Sequence, residues 1–371
     1  MANNFEEDKA KLGFGLMRLP RKLIGIDVEQ TKEMVDLFLE AGFTYFDTAF
    51  VYLGSETAIR KALVERYPRE SYTLATKMNA FMAPTEKAAK WQFTTSLERT
   101  GAGYFDYYLL HALMDNNYAR YEKFHLWEFL QEQKSRGLIR NAGFSFHGTP
   151  KLLDKLLTEH PEVDFVQLQL NYADWNNPSI QSRSNYEIAQ KHGKPNVVME
   201  PVKGGALANP PEEAKKLFST YHPDLSYASW AIRFVASLDG VMTVLSGMSS
   251  VAQMEDNLSY MKKFHSLNGE EQEIIQKVQR ILGRSATIPC TSCHYCTAGC
   301  TKQIPIPEIF SAMNRKLGNG QEKEAIEEYR KVTEGRGLAS DCIRCRQCEN
   351  ACPQHLPIVK YLEHCQKELG N

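Results

Sequence analysis

The stretch Thr44-Tyr45-Phe46-Asp47-Thr48-Ala49-Phe50-Val51-Tyr52 decides how the rest of the chain reads. Tyr45 to Asp47 is a short apolar run that ends in a charge and turns out into a loop carrying a tyrosine. Two further runs end alike: Tyr72-Thr73-Leu74-Ala75-Thr76 at Lys77, and Tyr107-Tyr108-Leu109-Leu110 at His111. Parallel strands of a (β/α)8 barrel bring their C-terminal ends to one mouth, where such barrels do chemistry. On that arrangement Asp47, Tyr52, Lys77 and His111 converge. Singly, such residues are commonly a cap, a rim charge, a loop anchor and a packed core group. Four of them in order, on successive strands, weigh the other way.

Working outward, Leu12 to Met17 reads as the first strand. Ile139 to Phe144, Phe165 to Leu170, Asn196 to Glu200 and Val241 to Leu245 read as the fifth to eighth. Helical spacing fills the intervals: Val28 to Ala41 closed by Gly42, Glu56 to Tyr67 stopped by Pro68, Lys87 to Arg99, and a long helix from Tyr118 to Ser135. Thr149-Pro150 opens the next with N-cap and N1 chemistry. Eight alternations predict an α/β (β/α)8 TIM barrel over residues 1–282, then a small, mainly helical domain over 283–371. An open doubly wound sheet fits less well, since no Gly-rich phosphate loop follows the first strand. The loop from Pro201 to Pro211 reads as mobile. Alternation puts Gln167, Gln169 and Asn171 on one strand face.

A chain of 371 residues with 43% hydrophobic and 24% charged residues has the composition of a soluble globular protein. Its net charge of −1 argues against nucleic acid or an anionic membrane as partner. Met1 to Lys9 is polar and acidic, unlike a signal peptide, and no apolar run approaches the ~20 residues that span a bilayer. Nine cysteines without a secretory signal point to metal or cluster ligation in a reducing cytoplasm rather than to disulfides.

Eight of the cysteines form two copies of one pattern: Cys290, Cys293, Cys296, Cys300 and Cys342, Cys345, Cys348, Cys352, the last followed by Pro353. Three thiolates in one loop take three corners of a cubane, and the fourth ligates the other cluster. The spacing therefore predicts one 4Fe–4S cluster on Cys290, Cys293, Cys296 and Cys352, and a second on Cys342, Cys345, Cys348 and Cys300. Zinc prefers paired two-cysteine units. Cys365 reads as a packed thiol.

Phe46-Asp47-Thr48-Ala49 with Tyr52 and Gly54-Ser55-Glu56, Leu74 to Lys77, Asp106 to His111, Arg136 to Ser145 and Asp256-Asn257-Leu258 together resemble an aldo/keto reductase. The remainder resembles a two-cluster ferredoxin, and the whole looks like the iron–sulfur-containing branch of that family. The resemblance implies an oxidoreductase that interconverts a carbonyl (aldehyde, ketone or sugar) and an alcohol. Tyr52 would be its acid, Lys77 would tune it, Asp47 would hold Lys77, and His111 would orient the carbonyl. It also implies NADP or NAD, with Ser145 and Gln167 (Gln169 as fallback) at the nicotinamide amide and Asp256 and Asn257 at adenine. Phe146, Met199, Gly247 and Gln253 depart from the family's usual residues, and Lys203 is a substitute for a missing phosphate-binding cation.

Clusters pass single electrons whereas nicotinamide passes hydride, and no flavin motif is evident to join them. A ferredoxin or flavoprotein partner, one-electron chemistry without nicotinamide, and clusters that only hold a lid are three ways to reconcile this. A rival of another class is an electron-transfer or redox-sensing protein whose barrel binds nucleotide but turns nothing over. The substrate is not legible, although Tyr172 and Trp175 are aromatic pocket candidates. An anaerobic setting is expected.

Overall fold

Eight parallel strands close into a barrel in the computed structural model, which describes residues 11–370. They are β1 (Leu12–Gly15), β2 (Tyr45–Asp47), β3 (Thr73–Met78), β4 (Phe105–Leu113), β5 (Ile139–Phe146), β6 (Phe165–Gln169), β7 (Asn196–Met199) and β8 (Val241–Ser246), paired in chain order. The acidic stretch Met1 to Lys9 lies outside the described residues. The chain divides into two compact units. One holds the chain up to Asn176, Gln181–Pro201 and Ala228–Asn268; the other holds Asn177–Ile180, Val202–Tyr227 and the chain from Gly269 on. Among the described residues no helix is long and apolar enough to cross a membrane.

Strand alternation sorts the barrel residues. Tyr45, Ala75, Leu109, Phe165, Val197 and Leu245 fill the interior, with Tyr107 against them. Tyr107 stands 5.2 Å from the Tyr45 ring and 5.1 Å from Phe165, tilted and edge-on, pairs worth about 0.5–1.5 kcal/mol each beyond their burial. Gly143 makes room for this layer, since a Cβ there would meet the Phe165 ring at 2.5 Å. The opposite parity faces the helices: Phe46 packs on Phe38 at 5.2 Å, and Phe14 on Phe38 at 5.9 Å. Asp47 shares the inward parity of Tyr45, Lys77 that of Ala75 and His111 that of Leu109. The interior layer therefore ends, at its C-terminal rim, in ionisable groups.

Helix ends follow the sequence chemistry. Asp27 caps Val28–Glu40 by accepting from Gln30 N, Thr85 caps Glu86–Thr100, and Thr149 caps Pro150–Glu159. The long helix expected from Tyr118 to Ser135 is broken instead, into Tyr118–Lys123 and Leu126–Ser135, at His125 with φ 48°. Tyr121 and Leu126 are both fully buried. Five residues is off the helical period of 3.6, so one straight helix cannot turn both inward.

In the second unit, helices Glu212–Tyr221 and Gly269–Leu282 are joined by Tyr221 Oη to Glu270 Oε2 (2.9 Å) and His222 Nε2 to Glu271 Oε1 (3.2 Å). The loop expected to be mobile forms a 3-10 turn, Lys203–Ala208, with Leu207 buried. Its left-handed Gly204 (φ 63°) lies so close that a Cβ would meet Thr291 Cα and O at 2.6 Å. Helices Ile306–Asn319, Glu322–Thr333 and Ile358–Leu369 then build a core of Phe310, Met313, Ala325, Leu362 and Cys365.

Candidate functional site

Asp47 and Lys77 lie on neighbouring strands, with Asp47 opposite Ala75, two residues before Lys77. Lys77 Nζ donates to Asp47 Oδ1 at 2.5 Å and to the Thr48 carbonyl at 2.8 Å, and both side chains are buried. Burial pushes the Asp47 carboxyl up and the Lys77 ammonium down, and their mutual attraction opposes both shifts. The same ammonium stands 5.2 Å from the centre of the Tyr52 ring, which meets His111 edge-on at 5.7 Å. These four side chains lie at one rim of the barrel.

His111 sits at an irregularity in β4, where the pairing with β5 shifts between Leu110 and Leu113 and Ala112 takes φ 57°. A bulge of this kind re-aims a side chain. Ser145 Oγ accepts from Ala112 N at 2.7 Å, Asn117 Nδ2 donates to Ala112 O at 2.9 Å, and the Tyr121 hydroxyl donates to the His111 carbonyl. Ser145, Asn117 and Tyr121 therefore hold the backbone that presents His111. Only Ser145 was singled out by sequence. Burial, followed by the charges of Lys77 and His147, holds His111 well below the ordinary imidazole range, so it is neutral at neutral pH.

Ser145 stands opposite Gln167 in the β5–β6 register. Gln167 Nε2 donates to Met199 Sδ at 3.5 Å, while its buried Oε1 has no hydrogen-bond partner among the described residues. That orphaned oxygen suits the donor of a carboxamide. Gln169 donates to the buried Asp174 carboxylate at 3.0 Å, which leaves Gln167 as the free-facing amide of the two. Asp256 is half-buried on helix Val251–Met261. Asn257 is buried, donating to Ser246 Oγ at 2.9 Å and accepting from the Tyr260 hydroxyl. Lys203 begins the 3-10 turn of the second unit at φ 50°.

The two aromatic pocket candidates pack on other rings. Tyr172 is fully buried against Phe234, and Trp175 packs on Phe234 at 5.5 Å and Tyr186 at 5.6 Å. One cation escaped the sequence reading. Arg18, at the exit of β1, lies across Gly247, with Cβ and Nη1 3.8 and 3.9 Å from where a Cβ would stand, and reaches Glu200 Oε1 at 3.4 Å. Gln253 instead accepts from Ser249 N at 2.7 Å, closing a loop.

In the second unit eight cysteines line two cavities. One cavity is lined by Cys290, Cys293, Cys296 and Cys352, the other by Cys300, Cys342, Cys345 and Cys348, and Ile306 belongs to both walls. Among the described residues no group of three His, Cys, Asp or Glu side chains is close enough to hold a single metal ion. The backbone is duplicated as well. Non-glycine residues with positive φ occur two, four and thirteen positions after the first cysteine of each motif: Ser292, His294 and Gln303, then Arg344, Arg346 and His355. Helices Ile306–Asn319 and Ile358–Leu369 both start sixteen positions after that cysteine. Alternating left-handed residues turn successive N–H groups toward one concavity, a geometry that receives anionic centres such as iron–sulfur clusters.

A (β/α)8 barrel with a charged, tyrosine-bearing rim, joined to a four-plus-four cysteine domain, defines an iron–sulfur barrel oxidoreductase. The chain belongs to the aldo/keto reductase family, whose model matches residues 11–280, and it carries a 4Fe-4S dicluster domain matched over residues 289–356. An aldo-keto reductase of Mycolicibacterium paratuberculosis is 28% identical over 278 residues, 74% of this chain and 88% of its own. The solved aldo-keto reductase of Bacillus halodurans, in its holo form, is 27% identical with a TM-score of 0.58 over 72% of this chain and 91% of that one. An aldo/keto reductase from Klebsiella pneumoniae in complex with NADP and acetate shares the fold, at 18% identity and a TM-score of 0.59 over 72% and 91% of the two chains.

Proposed function

We propose that the barrel interconverts a carbonyl and an alcohol at Tyr52, Lys77, Asp47 and His111, and that the cysteine domain carries two 4Fe–4S clusters. The observation behind this reading is the Lys77 ammonium, fixed on Asp47 and set 5.2 Å from the Tyr52 ring. A phenol is a weak acid with an ordinary pKa of ~10, and an adjacent ammonium favours its ionised form. Tyr52 then gives its proton at the substrate oxygen during reduction and recovers it in the reverse direction. His111, neutral, offers an N–H to that same oxygen as charge develops there. Asp47 keeps the ammonium in place.

Nicotinamide, when bound, supplies the hydride; Gln167 and Ser145 would hold its carboxamide. Asp256 would reach adenine, joined by Asn257 on release from Ser246 and Tyr260. Arg18 would answer phosphate charge, of NADP or NAD. Clusters, when bound, supply single electrons, and the eight motif cysteines would hold them in a reducing cytoplasm. One-electron reduction without nicotinamide is a second reading, favoured by the Gln167 amide hydrogen that is turned onto Met199 Sδ.

The test is anaerobic. Aldehydes, ketones and sugars are screened with NADPH, NADH or reduced ferredoxin as donor, and nucleotide binding is followed by fluorescence. Tyr52→Phe is expected to slow carbonyl turnover by about 10²–10⁴-fold with iron content unchanged. Unaltered turnover would remove Tyr52 as the acid. Turnover with ferredoxin but no nucleotide binding would select the second reading.

A further inference from the structure

The duplicated motif allows its two halves to be compared position by position, and they differ at the surface. Thr291, Ser292, His294 and Lys302 of the first copy correspond to Ile343, Arg344, Arg346 and Gln354 of the second, and the last pair crosses over: Lys302 lines the cavity of Cys342 and Gln354 that of Cys290. Thr291 is 2% exposed, beneath Gly204. Ile343, its counterpart, is 58% exposed although it also lines the cavity of Cys300, Cys342, Cys345 and Cys348. One large apolar side chain thus has the cavity on one side and water on the other. Cys345 is the one exposed thiol of the eight, whereas Cys296 and Cys352 of the other cavity are buried.

The surroundings of Ile343 are basic. Arg344 and Arg346 flank Cys345 with side chains 71% and 75% exposed, and Lys302 is exposed in the same cavity wall. Their ion pairs, Arg344 to Glu363 at 2.9 Å and Arg346 to Glu349 at 3.8 Å, are made by guanidinium groups open to water. Exposed pairs of this kind hold by about 0–1 kcal/mol, so an incoming carboxylate displaces them readily. An apolar centre within a polar, charged rim is the anatomy of a transient protein contact.

We propose that this face, centred on Ile343 and rimmed by Arg344, Arg346 and Lys302, docks a small acidic one-electron carrier protein. The inference rests on the reading that the cavities hold clusters. One electron leaves the reduced carrier and enters the site of Cys300, Cys342, Cys345 and Cys348 through a wall one side chain thick. The carrier departs oxidised by one electron and the domain is reduced by one. Ile306, common to both cavities, sets the next site one side chain further in. Two encounters deliver the two electrons that one carbonyl takes, with two protons, on becoming an alcohol. The cavity of Cys290, Cys293, Cys296 and Cys352, with Gly204 against Thr291 in its wall, is the second stop for the electron.

The experiment uses the anaerobically purified full chain, with its iron and visible absorbance measured first. Reduced acidic ferredoxin and reduced flavodoxin are mixed with it in a stopped-flow instrument, with dithionite as a chemical control and a basic cytochrome as a charge control. Binding of the oxidised carriers is followed by calorimetry. Reduction by the acidic carriers is expected to slow at least tenfold between low and high salt, because encounter here is steered by charge. Arg344→Glu, which lies outside the cavity wall, is expected to weaken carrier binding and slow reduction by at least tenfold, and Ile343→Glu likewise. Reduction by dithionite should be the same in Arg344→Glu as in the unaltered chain. Carrier binding and rates unmoved by Arg344→Glu and Ile343→Glu would overturn the docking face while leaving the clusters in place. A chain without iron, or one that dithionite cannot reduce, would overturn the cluster reading and the docking face with it.

Discussion

Lys77 Nζ meets Asp47 Oδ1 at 2.5 Å with neither group open to solvent, and the second oxygen of Asp47 has no hydrogen-bond partner among the described residues. A buried pair of this kind contributes little net stability, yet removing one member leaves a charge that water cannot reach. Lys77→Met is therefore expected to destabilise the barrel by about 3–5 kcal/mol. Adding Asp47→Asn should restore much of that loss in anaerobic denaturant unfolding without restoring turnover. Recovered turnover in the double variant would show that the ammonium is structural only.

His111 gives a pH signature. Its folded-state pKa lies well below the ordinary value because burial, Lys77 and His147 all oppose the imidazolium. Above about pH 6.5 the ring is neutral folded or unfolded, and this contribution is fully present. As pH falls, the unfolded chain binds a proton that the folded chain refuses, so stability is lost by up to about 1.4 kcal/mol per pH unit. Unfolding free energies at several pH values between about 7 and 5.5 should show this slope, and His111→Gln should lose it. Equal slopes in the two proteins would mean that the imidazole protonates in place.

Gly204 and Gly205 are neighbours with positive φ but different surroundings. Gly204 has no room for a Cβ against Thr291, while Gly205 (φ 98°) has nothing within 4 Å of that position. Gly205→Ala should carry only the left-handed backbone penalty, on the order of 1–2 kcal/mol, and keep its iron. Gly204→Val should push the Cys290–Cys293 segment outward. Iron analysis should then fall toward about half of the eight expected for two cubanes. Full iron in the Gly204 variant would show that the segment yields without disturbing its thiols.

Cys365 separates packing from ligation. It is fully buried in the helical core, lines neither cavity, and has its thiol pushed up to about 12 by burial. Cys365→Ala should retain all iron and visible absorbance, at a cost of about 1 kcal/mol for the lost volume. Cys345→Ala should lose iron. Iron loss in the Cys365 variant would mean that the ninth thiol is a ligand.

The rim of Asp47, Lys77 and His111 was readable because strand parity is strict: an ionisable group that ends an apolar run and shares the parity of Tyr45, Ala75 or Leu109 has one direction to face. The cysteine cavities were readable for a similar reason, since covalent spacing limits which thiols reach which corner. What holds His111 was not readable. Ala112 in left-handed backbone, pinned by Ser145 and Asn117, is a contact between strands that leaves no periodic trace. The packing of Tyr172 and Trp175 on Phe234 was not readable, because an aromatic loop residue buries equally well against a helix or around a ligand. The break at His125 hid behind good local helix spacing, which the burial of both Tyr121 and Leu126 overrode. Arg18 carried no signal beyond standing at a strand exit; its position over Gly247 depends on the absence of a side chain there.

Each cysteine loop surrounds its own hollow with three sulfurs and sends the fourth across to its twin, so that neither repeat is whole without the other. Oxidative loss at Cys300 or Cys352 would for that reason injure the half of the duplication to which the damaged thiol does not belong. An insult to one repeat becomes a defect in its neighbour, and the two must be assembled, and fail, as a single object.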